Sequence, residues 1–179
     1  AQFTESLVAS AAFFMIAVTF LLYSFYIMRE QTRLTRLLDA VDRKVRGTLM
    51  KIERPGIPFQ GAFWFYFSCG LVFLLFPKNI AITACLILAI SDSLATLVGH
   101  HLGRKKFLGN KTLEGTLVFF FSALLIGWVL IPQAALLAAL AATIGELLPE
   151  LAPSLRRRGL LDDNMLIPIL AALAFLLAG

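Results

Sequence analysis

The stretch from Asp92 to Gly115, DSLATLVGHHLGRKKFLGNKTLEG, differs in composition from the apolar sequence on either side of it. It gathers two carboxylates, two histidines, four Lys or Arg residues and four glycines into 24 residues. Burial in lipid opposes such a density of charge, because ionisable groups inside a membrane are costly without partners. We therefore expect this stretch to join two membrane helices and to carry the chemistry of the protein.

The rest of the chain has the composition of a polytopic membrane protein. Of its 179 residues 59% are hydrophobic and 16 are Phe, and the mean hydropathy is +0.84. We predict an all-α bundle, a single membrane-embedded domain of about six transmembrane helices. The predicted spans are residues 6–28, 59–76, 80–98, 113–131, 134–148 and 165–178. Because the last two are short, they either extend through flanking residues or require a locally thin bilayer, and a re-entrant hairpin is a further alternative.

Charge outside the apolar runs predicts the orientation. Residues 29–54 hold eight basic and four acidic side chains, with apolar residues at helical intervals, which predicts a cytoplasmic amphipathic helix. If all six segments span, 15 of the 16 Lys and Arg residues lie on one side, with Lys78 opposite. The positive-inside rule places that side in the cytoplasm. The net charge of +5 then follows from topology and needs no nucleic-acid partner.

Asp92 is predicted to lie within the third span, near the membrane surface but not in free water. If the third span ends at Gly99, Asp92 lies seven residues, or roughly 10 Å, inside the helix. Small residues share its face: Ala95, Thr96, Gly99 and Gly103. Such a face admits either a ligand or a neighbouring helix, and a plain helix-packing seam is the alternative interpretation.

The loop that follows has the composition of a phosphate cradle. Glycines let the backbone approach a phosphate, and cations neutralise its charge. The residues concerned are Gly99, Gly103, Arg104, Lys105, Lys106, Gly109, Asn110 and Lys111. The loop lacks the adjacent Gly-Lys pair of the Walker A motif, because Asn110 intervenes. Thr112 is the predicted N-cap of the next helix, whose first turn contains Glu114.

Further carboxylates are predicted to reach the same membrane level. Glu146 lies near the end of the fifth segment, and Asp163 with Asn164 opens the sixth. Together with Asp92 they form an oxygen-only set that suits Mg²⁺. Simpler roles are a charged helix end for Glu146, for which Glu150 would also serve, and N-capping for Asp163, with Asp162 as a rival.

These motifs resemble a known family signature. The run SDSLATLVGHHLGRKKFLGNKTLEGT, followed by Thr143–Glu146 and Leu161–Pro168, is similar to the CTP-dependent lipid kinases. That family contains dolichol kinase, phytol kinase and CTP-dependent diacylglycerol kinase. The matching pieces cover about a quarter of the chain.

The resemblance implies Mg²⁺-dependent transfer of the terminal phosphoryl group of CTP to the hydroxyl of a lipid alcohol. It implies that the basic glycine loop and Thr112 bind the nucleotide, with Thr96 and Asn164 nearby. The implied catalytic residues are Asp92, Glu114 and Lys111, with Asp92 or Glu114 as base, and the implied metal ligands are Asp92, Glu146 and Asp163. A multi-pass protein of a prokaryotic cytoplasmic membrane, with the site facing the cytoplasm, is the expected location.

Two alternatives differ in chemistry. A phosphatidate cytidylyltransferase would also use CTP and Mg²⁺, but it would release pyrophosphate, and its family ends in a Lys-Asp and Gly/Asp-rich stretch where this chain has only LLDDNMLIP. A non-enzymatic membrane carrier would favour charges at the bilayer midplane and inverted repeats. The charges here cluster toward one surface, which favours the kinase.

Overall fold

The computed structural model describes residues 2–28, 59–157 and 161–178, and this part of the chain is mostly helical. A π-helical turn joins the third helix to the fourth, and a 3-10 turn precedes the sixth. The predicted amphipathic helix at 29–54 lies outside the described residues. The helices are α1 (Gln2–Met28), α2 (Gln60–Leu75), α3 (Lys78–Leu86), α4 (Asp92–Leu102), α5 (Leu113–Leu130), α6 (Ala135–Leu151), α7 (Pro153–Arg157) and α8 (Asp163–Ala178).

Four helical runs in the described ranges are long and apolar enough to cross a membrane. They are Thr4–Phe25, Lys78–Leu102, Leu113–Leu130 and Pro132–Leu151. The predicted bundle of apolar helices is thereby confirmed. The helix predicted at 134–148 is longer than predicted, because flanking residues on both sides extend it. This was the first of the alternatives given for the short segments. Helices α2 and α8 are apolar but have 16 residues each.

The helix that contains Asp92 extends beyond its predicted end. We expected it to stop at Gly99, but α4 continues to Leu102. Asp92 therefore lies about 15 Å from the helix end, deeper than predicted. The π-helical turn Ile87–Ser91 directly precedes it. Such turns shift the side-chain register of a helix and are common at functional sites, so Asp92 follows a shift of register relative to the residues before the turn.

Helix α8 lies at the centre of the bundle and packs against α6, α2 and α3. Its contact with α6 is formed by small side chains, because a Cβ on Gly145 would lie only 3.1 Å from the backbone of Leu166. The buried alanines of this contact are Ala138, Ala139, Ala142, Ala171 and Ala172. Close approach of the two backbones brings the end of α6 beside the start of α8.

Helix α5 packs between α4 and α6. A Cβ on Gly115 would lie 2.9 Å from the carbonyl oxygen of Ala95, and a Cβ on Gly99 would lie 2.9 Å from Thr112 Oγ1. Part of the small-residue face beside Asp92 is therefore a helix-packing seam, as the alternative interpretation held.

The glycine loop contains a short β-hairpin that the all-α prediction missed. Strand β1 (Lys106–Leu108) pairs antiparallel with β2 (Lys111–Thr112). Gly109, at the turn, has a φ of 55°, the left-handed conformation that glycine adopts without strain. Strands of three and two residues are too short to show an alternating pattern in the sequence.

Candidate functional site

Lys111 lies at the meeting point of three helices. Its Nζ is 3.1 Å from Asp163 Oδ2, 3.3 Å from Glu146 Oε1 and 4.0 Å from Asp92 Oδ1. These three carboxylates, called here the acidic cluster, come from α8, α6 and α4 respectively. The three predicted metal ligands thus converge, and a lysine lies among them.

The acidic cluster is largely withdrawn from water. Glu146 and Asp163 are 1% and 3% exposed, and the Lys111 side chain is 15% exposed. Burial disfavours the charged ammonium, but attraction to Asp163, Glu146 and Asp92 outweighs this and raises the pKa of Lys111. With its carboxylates ionised, the group holds three negative charges against one positive charge. In the described part of the chain, no acidic, His and Cys side chains form a ready-made metal site of three or more.

Two adjacent aspartates at the start of α8 have different roles. Asp162 Oδ1 accepts hydrogen bonds from the backbone N–H and the side-chain amide of Asn164, each at 3.0 Å. Asp162 therefore acts as the cap of α8, and Asp163 faces Lys111. The carbonyl of Asn164 accepts a hydrogen bond from Ser68 Oγ at 2.8 Å. Asn164 is thus held between α8 and α2.

A cavity of about 580 Å³ opens beside the acidic cluster. Its volume is within the range of ligand-binding pockets. Lys111 and Glu146 line this cavity. Glu146 is also part of the acidic cluster, and Lys111 is its cation. The residues that line it are Ala95, Thr96, Gly99, His100, Gly103, Arg104, Lys106, Asn110, Lys111, Thr112, Gly115, Thr116, Glu146, Glu150 and Arg156. Four cations in one wall suit an anionic ligand.

The hairpin is attached to the end of α6 through Glu150. Glu150 Oε2 accepts a hydrogen bond from the backbone N–H of Asn110 at 3.3 Å, and Oε1 pairs with Arg156. A Cβ on Gly109 would overlap the Glu150 carboxylate. Glycine at this position is therefore required by the backbone conformation and by the close packing of Glu150.

The start of α5 is capped as predicted. Thr112 Oγ1 accepts a hydrogen bond from the backbone N–H of Gly115 at 3.2 Å. Glu114 lies in the first turn of α5, and its Oε2 has no hydrogen-bond partner within the described residues. It is absent from the cavity wall. Its catalytic role stays a prediction.

Comparison with known proteins gives one partial similarity. No family model matches the chain, and no solved structure matches it. Over 56 residues the chain is 50% identical to the uncharacterized protein RP860 of Rickettsia prowazekii (strain Madrid E). The match covers 31% of this chain and 27% of that protein, so the aligned part is about a quarter of the relative's length.

The structure brings most of the predicted site residues together. In the cavity wall are Thr96, Gly99, Gly103, Arg104, Lys106, Asn110, Lys111, Thr112 and Glu146. Asp92 and Asp163 are ion partners of Lys111, which is one of these wall residues. The predicted site residues outside the wall are Lys105, Gly109, Glu114 and Asn164. The wall also contains Thr116, Glu150 and Arg156, which are not among the predicted site residues. The available signals were the arginine triplet that contains Arg156 and the position of Thr116 one helical turn after Thr112.

Proposed function

We propose that this protein is a membrane lipid kinase, which transfers the terminal phosphoryl group of a nucleoside triphosphate to the hydroxyl of a lipid alcohol. The observation that supports this best is the cation-lined cavity whose wall includes Lys111 and Glu146 of the buried charged group. The resemblance to CTP-dependent lipid kinases favours CTP as donor and diacylglycerol, a polyprenol, dolichol or phytol as acceptor.

The phosphates would be bound in the wall formed by the hairpin and the start of α5. Arg104, Lys106 and Arg156 supply positive charge, and Lys111 lies where it can approach the transferred group. The first backbone N–H groups of α5 add the positive end of a helix dipole. Lys105 and Gly109 would contribute through the shape of the hairpin. Phosphoryl transfer depends on this kind of fixed electrostatic stabilisation.

The acidic cluster fits Mg²⁺ by its chemistry. It is an oxygen-only donor set with more negative charge than Lys111 neutralises, and Mg²⁺ prefers carboxylates with substrate phosphates. Asp92, Asp163 and Glu146, the last through Oε1, would hold the ion. When bound there, it would supply further positive charge to the phosphates.

The transfer step needs a proton acceptor as well as charge. The lipid hydroxyl oxygen forms a bond to the terminal phosphorus while the bond from phosphorus to the nucleoside diphosphate breaks. The hydroxyl proton passes to a carboxylate of the site, and the diphosphate leaves with the bonding electrons. Asp92 and Glu114 were the bases favoured by the sequence, and of the two Asp92 is adjacent to Lys111.

We propose the finer membrane topology from the same charge distribution. Six segments would cross the bilayer, including the two 16-residue helices α2 and α8, with the hairpin and the cavity facing the cytoplasm. The segment at 29–54 would lie on the same surface and meet anionic lipid headgroups. A prokaryotic cytoplasmic membrane is the proposed location.

A product analysis tests the assignment. Purified protein in mixed micelles would be incubated with Mg²⁺, each nucleoside triphosphate and a panel of lipid alcohols and phosphatidate. We expect CDP and a phosphorylated lipid, and at least a hundredfold loss of turnover in Asp92→Asn. Glu5→Gln, an exposed carboxylate that pairs with Lys78 outside the site, is the matched control. Full turnover in a folded Asp92→Asn protein would remove its central role.

Other products would identify the alternatives. Pyrophosphate with a CDP-lipid formed from phosphatidate would indicate the cytidylyltransferase. Nucleotide-dependent flux of a solute into sealed vesicles, without any new lipid product, would indicate the carrier.

A further inference from the structure

Two buried polar atoms in the cavity wall have no hydrogen-bond partner within the described residues. They are Thr116 Oγ1 and Glu146 Oε2. Thr116 is 8% exposed and Glu146 is 1% exposed, so bulk water does not satisfy them freely. Buried polar groups are nearly always paired, and leaving one unpaired costs about 1–3 kcal/mol. Two such atoms in one wall point to a ligand.

Two other hydroxyl groups on the same helices are paired, whereas that of Thr116 is not. Thr143, on α6, donates to the carbonyl of Ala139 at 2.7 Å, and Ser122, on α5, donates to that of Val118 at 2.7 Å. Each therefore satisfies its hydroxyl within its own helix. Thr116 makes no such bond. Glu146 uses Oε1 toward Lys111, and its Oε2 has no corresponding partner in the described residues.

The chemistry of the pair selects the ligand. A carboxylate oxygen accepts hydrogen bonds, and a threonine hydroxyl can donate one. A hydroxyl group has the chemistry to satisfy both atoms, because it can donate to Glu146 Oε2 and accept from Thr116 Oγ1. Where no cation lies between them, a phosphate would be repelled by the Glu146 carboxylate. The pair is thus suited to an alcohol, whereas the arginines and lysines of the same wall suit an anion.

The position of the pair suits the headgroup of a lipid. Thr116 is the fourth residue of α5 and lies about 5 Å along the helix axis from its start. Leu117, the next residue on α5, is exposed. An apolar tail could lie along this exposed part of α5 while the hydroxyl of the same molecule reaches the cavity wall.

We propose that Thr116 and Glu146 form the subsite for the acceptor hydroxyl of a lipid alcohol. This inference rests on the proposed kinase function, and it adds Thr116 as a positioning residue and gives Glu146 Oε2 a contact with the substrate. Nucleotide and acceptor then occupy separate parts of the same wall.

Equilibrium binding without nucleotide tests the subsite directly. The full-length protein in detergent would be titrated with dioctanoylglycerol and with farnesol, and with the O-methyl ether of each. We expect at least one alcohol to bind about tenfold more tightly than its ether. Thr116→Val and Glu146→Gln should weaken binding of that alcohol about tenfold, and Thr143→Val should not, because the hydroxyl of Thr143 is satisfied within its helix.

Turnover separates this inference from the kinase assignment. Thr116→Val should raise the KM for the lipid alcohol and leave the KM for the nucleotide unchanged. Equal binding of alcohol and ether by the wild type, or wild-type affinity in Thr116→Val, would overturn the subsite even if lipid phosphorylation occurs. Selective alcohol binding that depends on Thr116, with no phosphoryl transfer from any nucleotide, would retain the subsite and reject the kinase.

Discussion

Lys111 sets the charge balance of the site. It is the cation that lies within 4.0 Å of all three carboxylates of the acidic cluster. Replacing it by methionine keeps much of the apolar stem but leaves the carboxylates facing one another without the ammonium. Breaking a buried ion pair by removing one partner typically costs about 3–5 kcal/mol. We expect Lys111→Met to lose about 3 kcal/mol of stability, seen as a lower unfolding temperature in detergent.

A second substitution distinguishes a charge effect from a packing effect. Adding Asp163→Asn to Lys111→Met removes one of the carboxylates left without the ammonium, so the double variant should be more stable than Lys111→Met alone. Lys78→Met, which removes an exposed cation paired with Glu5, should change stability little. Equal unfolding temperatures for Lys111→Met and the wild type would contradict the proposed charge balance.

The stability that the Lys111 ammonium contributes should depend on pH in one direction. The folded-state pKa of Lys111 is raised above the ordinary value of 10.5. The ammonium therefore contributes its full stability below pH 10.5 and loses it as the pH rises through the folded-state pKa. The difference in unfolding temperature between the wild type and Lys111→Met should stay constant from pH 7 to 10 and shrink above that. A difference in unfolding temperature that grows at alkaline pH would contradict this prediction.

Adjacent residues show where sequence reasoning reaches its limit. Asp162 and Asp163 are both carboxylates at the start of α8, and composition alone gives either one as the cap. Successive side chains on a helix point about 100° apart, so only the rotation of α8 against α6 decides which aspartate meets Lys111. Thr112 was predictable as a cap because its partner, Gly115, lies three residues away on the same helix.

At the scale of elements, the hairpin depends on one glycine. Gly109 has a φ of 55° and contacts Glu150 where a Cβ would overlap. Gly109→Ala should therefore displace the hairpin from the end of α6 and weaken nucleotide binding about tenfold, since the left-handed backbone alone costs about 1–2 kcal/mol. Nucleotide titration and amide hydrogen exchange over residues 104–112 would measure the two effects.

A second glycine provides the control for this substitution. A Cβ on Gly61 would lie 3.6 Å from Asn164 Nδ2, an ordinary contact, within helix α2. Alanine is a better helix former than glycine, so Gly61→Ala should be neutral or stabilising. If Gly109→Ala retained wild-type exchange and nucleotide affinity, the packing against Glu150 would not organise the hairpin.

The long helices were predictable because their signal is local and strong. The apolar runs of the sequence predict six helical segments, with bounds within a few residues of those observed. They also predict the start of α5 at Leu113. Three features were not predictable from the sequence. They are the continuation of α4 through two histidines, the π-helical turn before Asp92 and the hydrogen bond between Asn110 and Glu150. The last joins residues 40 positions apart, and no local pattern specifies such a contact.

At the scale of the whole molecule, charge distinguishes the two ends of the bundle. One end contains Lys106 and Lys111 of the hairpin and Arg156 of α7. Lys78, the first residue of α3, lies at the other end. A helix of 25 residues from Lys78 to Leu102 is about 37 Å long, more than the ~30 Å of a hydrocarbon core. The two ends of this helix should therefore reach opposite surfaces of the bilayer.

Cysteine labelling in intact cells tests this orientation. Cys69 and Cys85 would first be replaced by alanine, since both are free thiols. We expect Lys106→Cys in that background to be labelled by a membrane-impermeant maleimide only after the cells are opened. Lys78→Cys should be labelled in intact cells, because the proposed topology puts position 78 at the outer surface. The reverse pattern would place the cavity outside the cell, where no cytoplasmic nucleotide could reach it, and would contradict both the orientation and the kinase assignment.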